Sequence, residues 1–422
     1  MKLTDEEKKM LDGSYGPGTA MAMDIVIKCG EAYDAERLVD VTHTHTVPTE
    51  PIEWLKKISE GAKARTYSTM HPFPFDLKRW KKMGVKQEYA DKVIIYYNEQ
   101  VFPIYKRLGL IPVYTCCPYM VGNVPPFGSY VNFFGSEVVL LANSLFGARN
   151  PRVGGAGPLL SAITGKEPYC DLLVDKNRYG QVLFEPDHSL KPEEFTNADL
   201  GAFGYYVGMT GQERVCVIDN LRKTLNFESF KYFTTPMAVS GAVGLCHIVG
   251  FTPEAQTLKM AFGNRKPKEK VVVGRKEMKQ MWRQLNTTDS QDVDLVVLGC
   301  PHLSVPEMQE LASMLEGKKI KEGKSAWIAL GEEILAVATR MGLTEVIERS
   351  GATILTGICP GPVTPWHELV QKPKVVATNS VKDAHYTYVG SGKTIDVRYG
   401  STKDCIDSVL TGSFKDTGRW LS

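Results

Sequence analysis

The chain has 422 residues, a formal net charge of +2 and nine cysteines. Balanced acids and bases, with no basic block and no aromatic-basic ladder, leave no footprint for nucleic acid or an anionic membrane. At roughly 100–200 residues per domain the length predicts two or three domains, and an odd cysteine count without an export signal argues against a disulfide framework.

The N-terminus, Met1-Lys2-Leu3-Thr4-Asp5-Glu6-Glu7-Lys8, reads as a helix start with Thr4 as N-cap, not as a secretory leader. Residues 36–42 read as a strand ending in His43-Thr44-His45. Residues 51–62 form an amphipathic helix with Pro51 near its first turn and Gly61 near its end. A strand over 64–69 ends at His71-Pro72, and a long helical region over 88–108 leads into an apolar strand at 111–114. The stretch 133–145 is apolar and reads as a buried helix. It runs into a glycine-rich loop over 147–158 that holds Arg149 and Arg152. Exposed backbone N–H groups and guanidinium forks suit a carboxylate or phosphate; capping of the preceding helix or pairing with acids is the plain alternative.

Residues 169–220 read as mixed and partly β. The stretch 238–251 is too short to span a bilayer and contains His247. Residues 266–290 are basic and amphipathic, a surface helix after a loop. From 292 the strand-helix alternation returns. Strands are predicted at 293–298, ending in Gly299-Cys300-Pro301-His302, at 325–330, at 352–356 and at 374–378, the last ending in Asn379-Ser380. Helices are predicted after Ser304 and over 332–349. Such alternation means βαβ units and mostly parallel sheet, here two α/β layers facing one site. The expected domains are 1–150, 151–290 and 291–422, and the expected location is the cytoplasm.

Three cysteines stand directly before proline: Cys117-Pro118, Cys300-Pro301 and Cys359-Pro360. Each follows a short apolar run, where α/β folds place their binding crevice. There is no C-x-x-C, so a metal site has to be assembled by folding. Three thiolates would leave one position open on an iron or zinc ion. His43, His45, His71 and His302 fall at predicted strand ends, enriching one end of the sheet in acid–base groups. Lys382 follows a strand, as a solvated lysine or as an anion clamp or proton-transfer group.

At these residues the chain resembles the aconitase X family of hydro-lyases. Thr115-Cys116-Cys117-Pro118-Tyr119 is similar to the family's Thr-Cys-Thr-Pro-Tyr, which puts its ligand cysteine on Cys116. Asn143-Ser144, Gly147-Ala148-Arg149, Ser240-Gly241-Ala242-Val243, Gly299-Cys300-Pro301-His302 and Asn379-Ser380-Val381-Lys382 resemble further motifs. The resemblance implies an α/β, aconitase-like fold, with several three-layer α/β domains and mostly parallel sheets around a central cleft. It implies a lyase that eliminates water from a small hydroxy acid, as in the dehydration of cis-3-hydroxy-L-proline or of mevalonate 5-phosphate. The iron would be held by Cys116, Cys300 and Cys359, as an iron–sulfur cluster or as mononuclear iron. Ser136, His302 and Lys382 become catalytic candidates; His45, His71, Asn123, Arg152, Asn379 and Ser380 become candidates for binding a small anionic substrate. The chain resembles a large subunit, so a small swivel-domain subunit is the expected partner. No nucleic acid and no membrane is expected.

The departures are local. Gly135-Ser136-Glu137 stands where the family has Glu-Ser-Ser, which displaces a carboxylate by two positions. Gly357-Ile358-Cys359 replaces Asp-Thr-Cys, Asn150-Pro151-Arg152-Val153-Gly154 replaces Thr-Asn-Arg-Glu-Gly, and His71 stands where asparagine is more frequent. Such changes alter substrate choice. A divergent member with another substrate, or a non-catalytic iron-binding paralogue, is therefore the alternative.

Overall fold

Three parallel sheets organise the chain, one more than the two layers expected. The structure is a computed structural model that describes residues 1–152, 154–415 and 420. Val153 of the glycine-rich loop lies outside the described residues. The first sheet contains β1 (Leu38–Thr46), β2 (Tyr67–Met70) and β3 (Tyr130–Phe133) in the order β2-β1-β3, with β4 (Lys166–Pro168) antiparallel to β1. The second contains β5 (Val182–Pro186), β6 (Cys216–Ile218), β7 (Cys246–Ile248) and β8 (Lys270–Val273) in the order β7-β6-β5-β8. The third contains β9 (Leu295–Leu303), β10 (Ser325–Leu330), β11 (Thr353–Thr356), β12 (Val375–Thr378) and β13 (Asp396–Tyr399) in the order β11-β10-β9-β12-β13. All pairings in the last two sheets are parallel, so their strands are joined by crossovers rather than by tight turns.

Local sequence explains most elements. All nine residues of β9 are buried, as expected of a central parallel strand covered on both faces. The helix Val305–Leu315 starts at Ser304, whose hydroxyl accepts from Glu307 N–H while the Glu307 carboxylate returns to Ser304 N–H. The helix Arg275–Leu285 buries Met278, Met281, Trp282 and Leu285, one stripe of a strongly amphipathic segment. No helix among the described residues is long and apolar enough to cross a membrane.

Several expectations are corrected. Residues 111–114 are not a strand: Ile111 makes one isolated bridge to Thr69, and Tyr114 turns the chain with φ +48°. Residue 133 ends β3; only Ser136–Leu140 is α-helical, followed by a wider π turn over Leu141–Leu145. The long helix of 88–108 is three pieces, Gln87–Ile95, a π turn Tyr96–Val101 and Phe102–Leu108, because Pro103 has no N–H for the ladder. Residues 332–349 split into Glu332–Arg340 and Leu343–Arg349 at Gly342, which has φ +75°. The runs His43–His45 and Gly299–His302 lie inside β1 and β9 rather than after them.

The largest apolar cluster joins Cys116, Cys117, Tyr119 and Leu140 to Phe184, Phe203, Phe230 and Phe233, and to Val397 and Tyr399. The cysteine loop is thus set where the three sheets meet.

Candidate metal centre and its polar shell

β9 presents the Gly-Cys-Pro-His run by leaving its own ladder. Leu298 pairs with Ile328 of β10, and the next paired residue is Leu303, with Leu330. Four residues of β9 therefore bulge out opposite one residue of β10. Gly299 makes this feasible. Its φ is +106°, and a Cβ there would lie 2.1 Å from the Ala329 carbonyl oxygen.

His302 ties the surrounding loops together. Its ring Nε2 is 2.6 Å from the Ile358 carbonyl oxygen, and Nδ1 is 3.1 Å from Thr115 Oγ1. A carbonyl only accepts, so the ring proton belongs on Nε2 and the Thr115 hydroxyl donates to Nδ1. That hydroxyl also accepts from Cys117 N–H at 3.1 Å. The His302 backbone N–H donates to Cys116 Sγ at 3.2 Å, and its carbonyl accepts from Lys231 Nζ at 2.8 Å. Both ring nitrogens are committed to protein. The contacts of His302, a sequence candidate for acid–base work, join the loops of Cys116 and Cys359.

A second chain of oriented hydrogen bonds comes from the first sheet. Asn123 Nδ2 donates to Thr69 Oγ1 at 2.7 Å and to the Thr44 carbonyl at 3.0 Å. The Thr69 hydroxyl lies 2.8 Å from His45 Nδ1, its one acceptor among the described residues; with the proton assigned that way, His45 Nε2 donates to His71 Nδ1 at 3.1 Å. The proton of His71 is left on Nε2, which has no hydrogen-bond partner among the described residues. Burial holds His45 down to about 3. Burial, with the nearby His45 and Lys382, keeps His71 well below its ordinary value. Both rings are neutral at pH 7, as this directional chain requires. Gly135 faces His71: a Cβ there would lie 3.2 Å from His71 Cε1. The imidazole at 71 and the glycine at 135, two departures from the family pattern, accommodate each other.

Three thiols act electrostatically on one ammonium. Lys382 is 8% exposed, on the first turn of the helix Val381–Gly390, and makes no hydrogen bond among the described residues. Burial pulls its pKa down, but Cys359, Cys300, Cys116 and Glu137 outweigh burial and raise it. Burial pushes the Cys116 thiol up; the neighbouring Cys117, His302, Lys382 and the His302 N–H overcome it, so Cys116 lies well below an ordinary thiol. Burial holds Cys300 well above an ordinary thiol and lifts Cys359 to about 12. Cys116 is the one thiol of these three whose pKa is lowered.

Cys117 and Glu137 form a compact group with Cys116. The Cys117 thiol donates to Glu137 Oε1 at 3.0 Å, and the Tyr119 hydroxyl donates to the same oxygen at 3.4 Å. Among the described residues, the ligand atoms that lie within 4.8 Å of one another, three or more at a time, are those of Cys116, Cys117 and Glu137. Cys300 and Cys359 are not in that set. Cys116, Cys300 and Cys359 all act on Lys382 but are not spaced for one ion. A cluster, in which each thiolate binds a different iron, sets its ligands wider apart.

The other sequence candidates fall elsewhere. Ser380 caps the helix of Lys382, accepting from Asp383 N–H at 3.1 Å. Asn379 Nδ2 donates to Thr402 Oγ1 at 3.0 Å, and with Tyr232 and Glu307 it lines a small enclosed cavity. Ser136 opens its helix half-buried, next to Glu137. Arg152 is corrected: its guanidinium holds Asp171 at 2.6 Å and the Glu213 carbonyl at 2.8 Å, while Arg149 holds Asp175 at 2.7 Å. Both arginines take the acid-pairing alternative. Asn143, in a family motif, serves the joint between sheets: it donates to the Gly244 carbonyl and accepts from Arg178, each at 2.9 Å. Lys231 was not singled out. It is 1% exposed and pairs with Glu307 at 2.5 Å, while Tyr232 donates to the same carboxylate at 2.6 Å. Its only trace in sequence is a lysine inside the apolar run Phe230-Lys231-Tyr232-Phe233.

Comparison with known proteins agrees with the resemblance. Family models described as the first, second and third domains of aconitase X match residues 1–176, 180–283 and 293–411. The phosphomevalonate dehydratase large subunit of Methanocaldococcus jannaschii is 33% identical over 396 residues, 92% of this chain and 95% of that protein. The cis-3-hydroxy-L-proline dehydratase of Hypocrea jecorina is 29% identical over 428 residues, 98% of this chain and 69% of that protein. The crystal structure of Thermococcus kodakaraensis aconitase X in its holo-form superposes with a TM-score of 0.83 at 30% identity, covering 97% of this chain and all of that one.

Proposed function

The chain belongs to the aconitase X family, and we propose that it is the large subunit of an iron-dependent hydro-lyase that removes water from a small anionic hydroxy acid. The observation that carries this reading is Lys382, a side chain 8% exposed whose ammonium has no hydrogen-bond partner among the described residues and is acted on by Cys359, Cys300, Cys116 and Glu137. A cation in so enclosed a site needs negative charge beside it to offset its desolvation, here Cys116, whose pKa is lowered, or a bound anion.

Cys116, Cys300 and Cys359 are the residues proposed to hold iron. The donor set fits: soft sulfur ligands in a reduced chain, one with its pKa lowered, and a buried carboxylate oxygen without a partner among the described residues. When bound, the iron would act as a Lewis acid toward a departing hydroxyl. The chain's own residues would do the positioning. His71 would present its Nε2–H as a donor, held in that tautomer by Asn123, Thr69 and His45. Lys382 would hold the carboxylate or phosphate of the substrate. His302 would keep the loops of Cys116 and Cys359 in register. Burial of Cys116, Cys300 and Cys359 keeps bulk water away from these groups. The proton-abstracting base is proposed to come from the small swivel-domain subunit.

Relatives matched over nearly their full length are named as large subunits of phosphomevalonate dehydratase, which supports mevalonate 5-phosphate as the first substrate to test. A second reading, a different small hydroxy acid, is favoured by the contact between Cys117 and Glu137, because both residues depart from the family motifs and alter the polar lining beside the ligands. The test is water loss from mevalonate 5-phosphate and from cis-3-hydroxy-L-proline, with chain purified anaerobically and a small subunit added. Bound iron and turnover of the first substrate are expected, with both lost in Cys300→Ala. A chain that binds no iron, or a Cys300→Ala variant with full iron and activity, contradicts the reading.

A further inference from the structure

We propose that Cys116, Cys117 and Glu137 form a site for one divalent transition-metal ion, bound through two thiolates and one carboxylate. This deepens the iron reading and rests on it only through the shared Cys116; it needs neither Cys300 nor Cys359.

Four observations converge. The three ligand atoms lie within 4.8 Å of one another, a spacing that one ion can bridge. Glu137 is 1% exposed, yet its Oε2 has no hydrogen-bond partner among the described residues. An orphaned buried carboxylate oxygen costs about 1–3 kcal/mol or more unless something binds it. The ligands are already oriented from outside: His302 N–H donates to Cys116 Sγ, and the Tyr119 hydroxyl donates to Glu137 Oε1. Outer partners of this kind fix ligand geometry in metal sites. Burial and the neighbouring Cys116 hold the Glu137 carboxyl well above its ordinary value in the metal-free chain, against the pull of Cys117, Lys382 and Lys231, so an ion bound there would displace a proton.

The donor chemistry selects the ion. Two thiolates favour zinc or ferrous iron over magnesium or calcium, and one carboxylate is compatible with either. Three protein ligands leave a fourth position for water or substrate, which is the pattern of catalytic rather than structural sites. The plain alternative is a thiol–carboxylate hydrogen bond that never meets a metal.

The test uses the full chain, stripped of metal under anaerobic conditions and loaded with Zn2+ or Co2+. X-ray absorption of the zinc-loaded wild type is expected to show two sulfurs at about 2.3 Å and oxygen at about 2.0–2.2 Å. This measurement needs no variant and so does not depend on a variant folding. In parallel, Cys117→Ser and Glu137→Gln should each weaken Co2+ binding at least tenfold, and Cys117→Ser should lose about half of the thiolate-to-cobalt absorption. Cys300→Ala should bind a single Co2+ as tightly as wild type. A shell of three sulfurs, no zinc bound, or unchanged Co2+ affinity in both Cys117→Ser and Glu137→Gln overturns the proposal. Loss of dehydration or of iron with the zinc shell intact would sink the hydro-lyase reading and leave this site standing.

Discussion

β1 and β9 both deliver side chains to the same region, and they do it in opposite ways. β1 slips by one residue against β3 between Val41 and His43 but stays in register with β2, pairing His45 with Thr69 and Thr46 with Met70, so His45 is aimed by ordinary strand geometry and wired by neutral hydrogen bonds. β9 abandons its register for four residues at Gly299, and the backbone of the bulge itself becomes a donor and an acceptor around Cys116 and Lys231. One arm spreads its polar groups along a relay with no net charge. The other concentrates two lysines, several cysteines and two glutamates in a region sealed from water. The charged arm should therefore be far less tolerant of substitution.

The largest difference is expected at Lys231. Lys231→Met leaves Glu307 with its charge and without its partner, a loss of about 3–5 kcal/mol by the rule for broken buried pairs. Denaturant unfolding at pH 7 measures it. Gly299→Ala attacks the bulge directly, by a clash with the Ala329 carbonyl and an unfavourable φ; a loss of about 3 kcal/mol is expected, with reduced iron binding.

The first sheet predicts a pH effect of known sign. Glu167 on β4 accepts hydrogen bonds from Asn132 at 2.7 Å and from Ser161, and burial lifts its carboxyl to about 7 against those bonds. The folded pKa lies above the unfolded one, so the folded chain binds more protons between about 4.5 and about 7. Stability falls as pH rises through that window and stays lower above it, by at most ~3 kcal/mol. Glu167→Gln should flatten this slope in unfolding curves taken from pH 4.5 to 7. The smallest effect is expected in the relay. Thr69→Val removes the hydroxyl between Asn123 and His45, for about 1–2 kcal/mol, a value that unfolding of this variant beside Lys231→Met would set against the charged arm.

The same contrast explains what could be read from sequence. Strand-helix alternation in the first and third sheets, the caps at Thr4 and Ser304 and the amphipathic stripe of residues 275–285 all follow from local periodicity and capping chemistry. The ligand candidates were visible because cysteine before proline and histidine near a strand end are unusual locally. The bulge was not visible. Leu295 to Leu303 reads as a strand stopping at Gly299, and nothing in a period of two shows that a strand resumes its partner four residues later. Residues 111–114 have strand composition but no neighbouring strand to pair with beyond Thr69, and tertiary context overrode propensity. Lys231 was hidden by its own surroundings, since its partner Glu307 lies 76 positions away. The contact between Cys117 and Glu137 joins two motif departures that look unrelated in sequence.

The central claim is that a metal centre is built on Cys116, held by the His302 backbone. It is tested most directly by the iron content and optical or paramagnetic signature of the anaerobically purified chain against Cys116→Ser. The account predicts iron with thiolate charge-transfer bands in the wild type, and loss of both in a Cys116→Ser variant that still folds. Equal iron and unchanged spectra in the two proteins would contradict it.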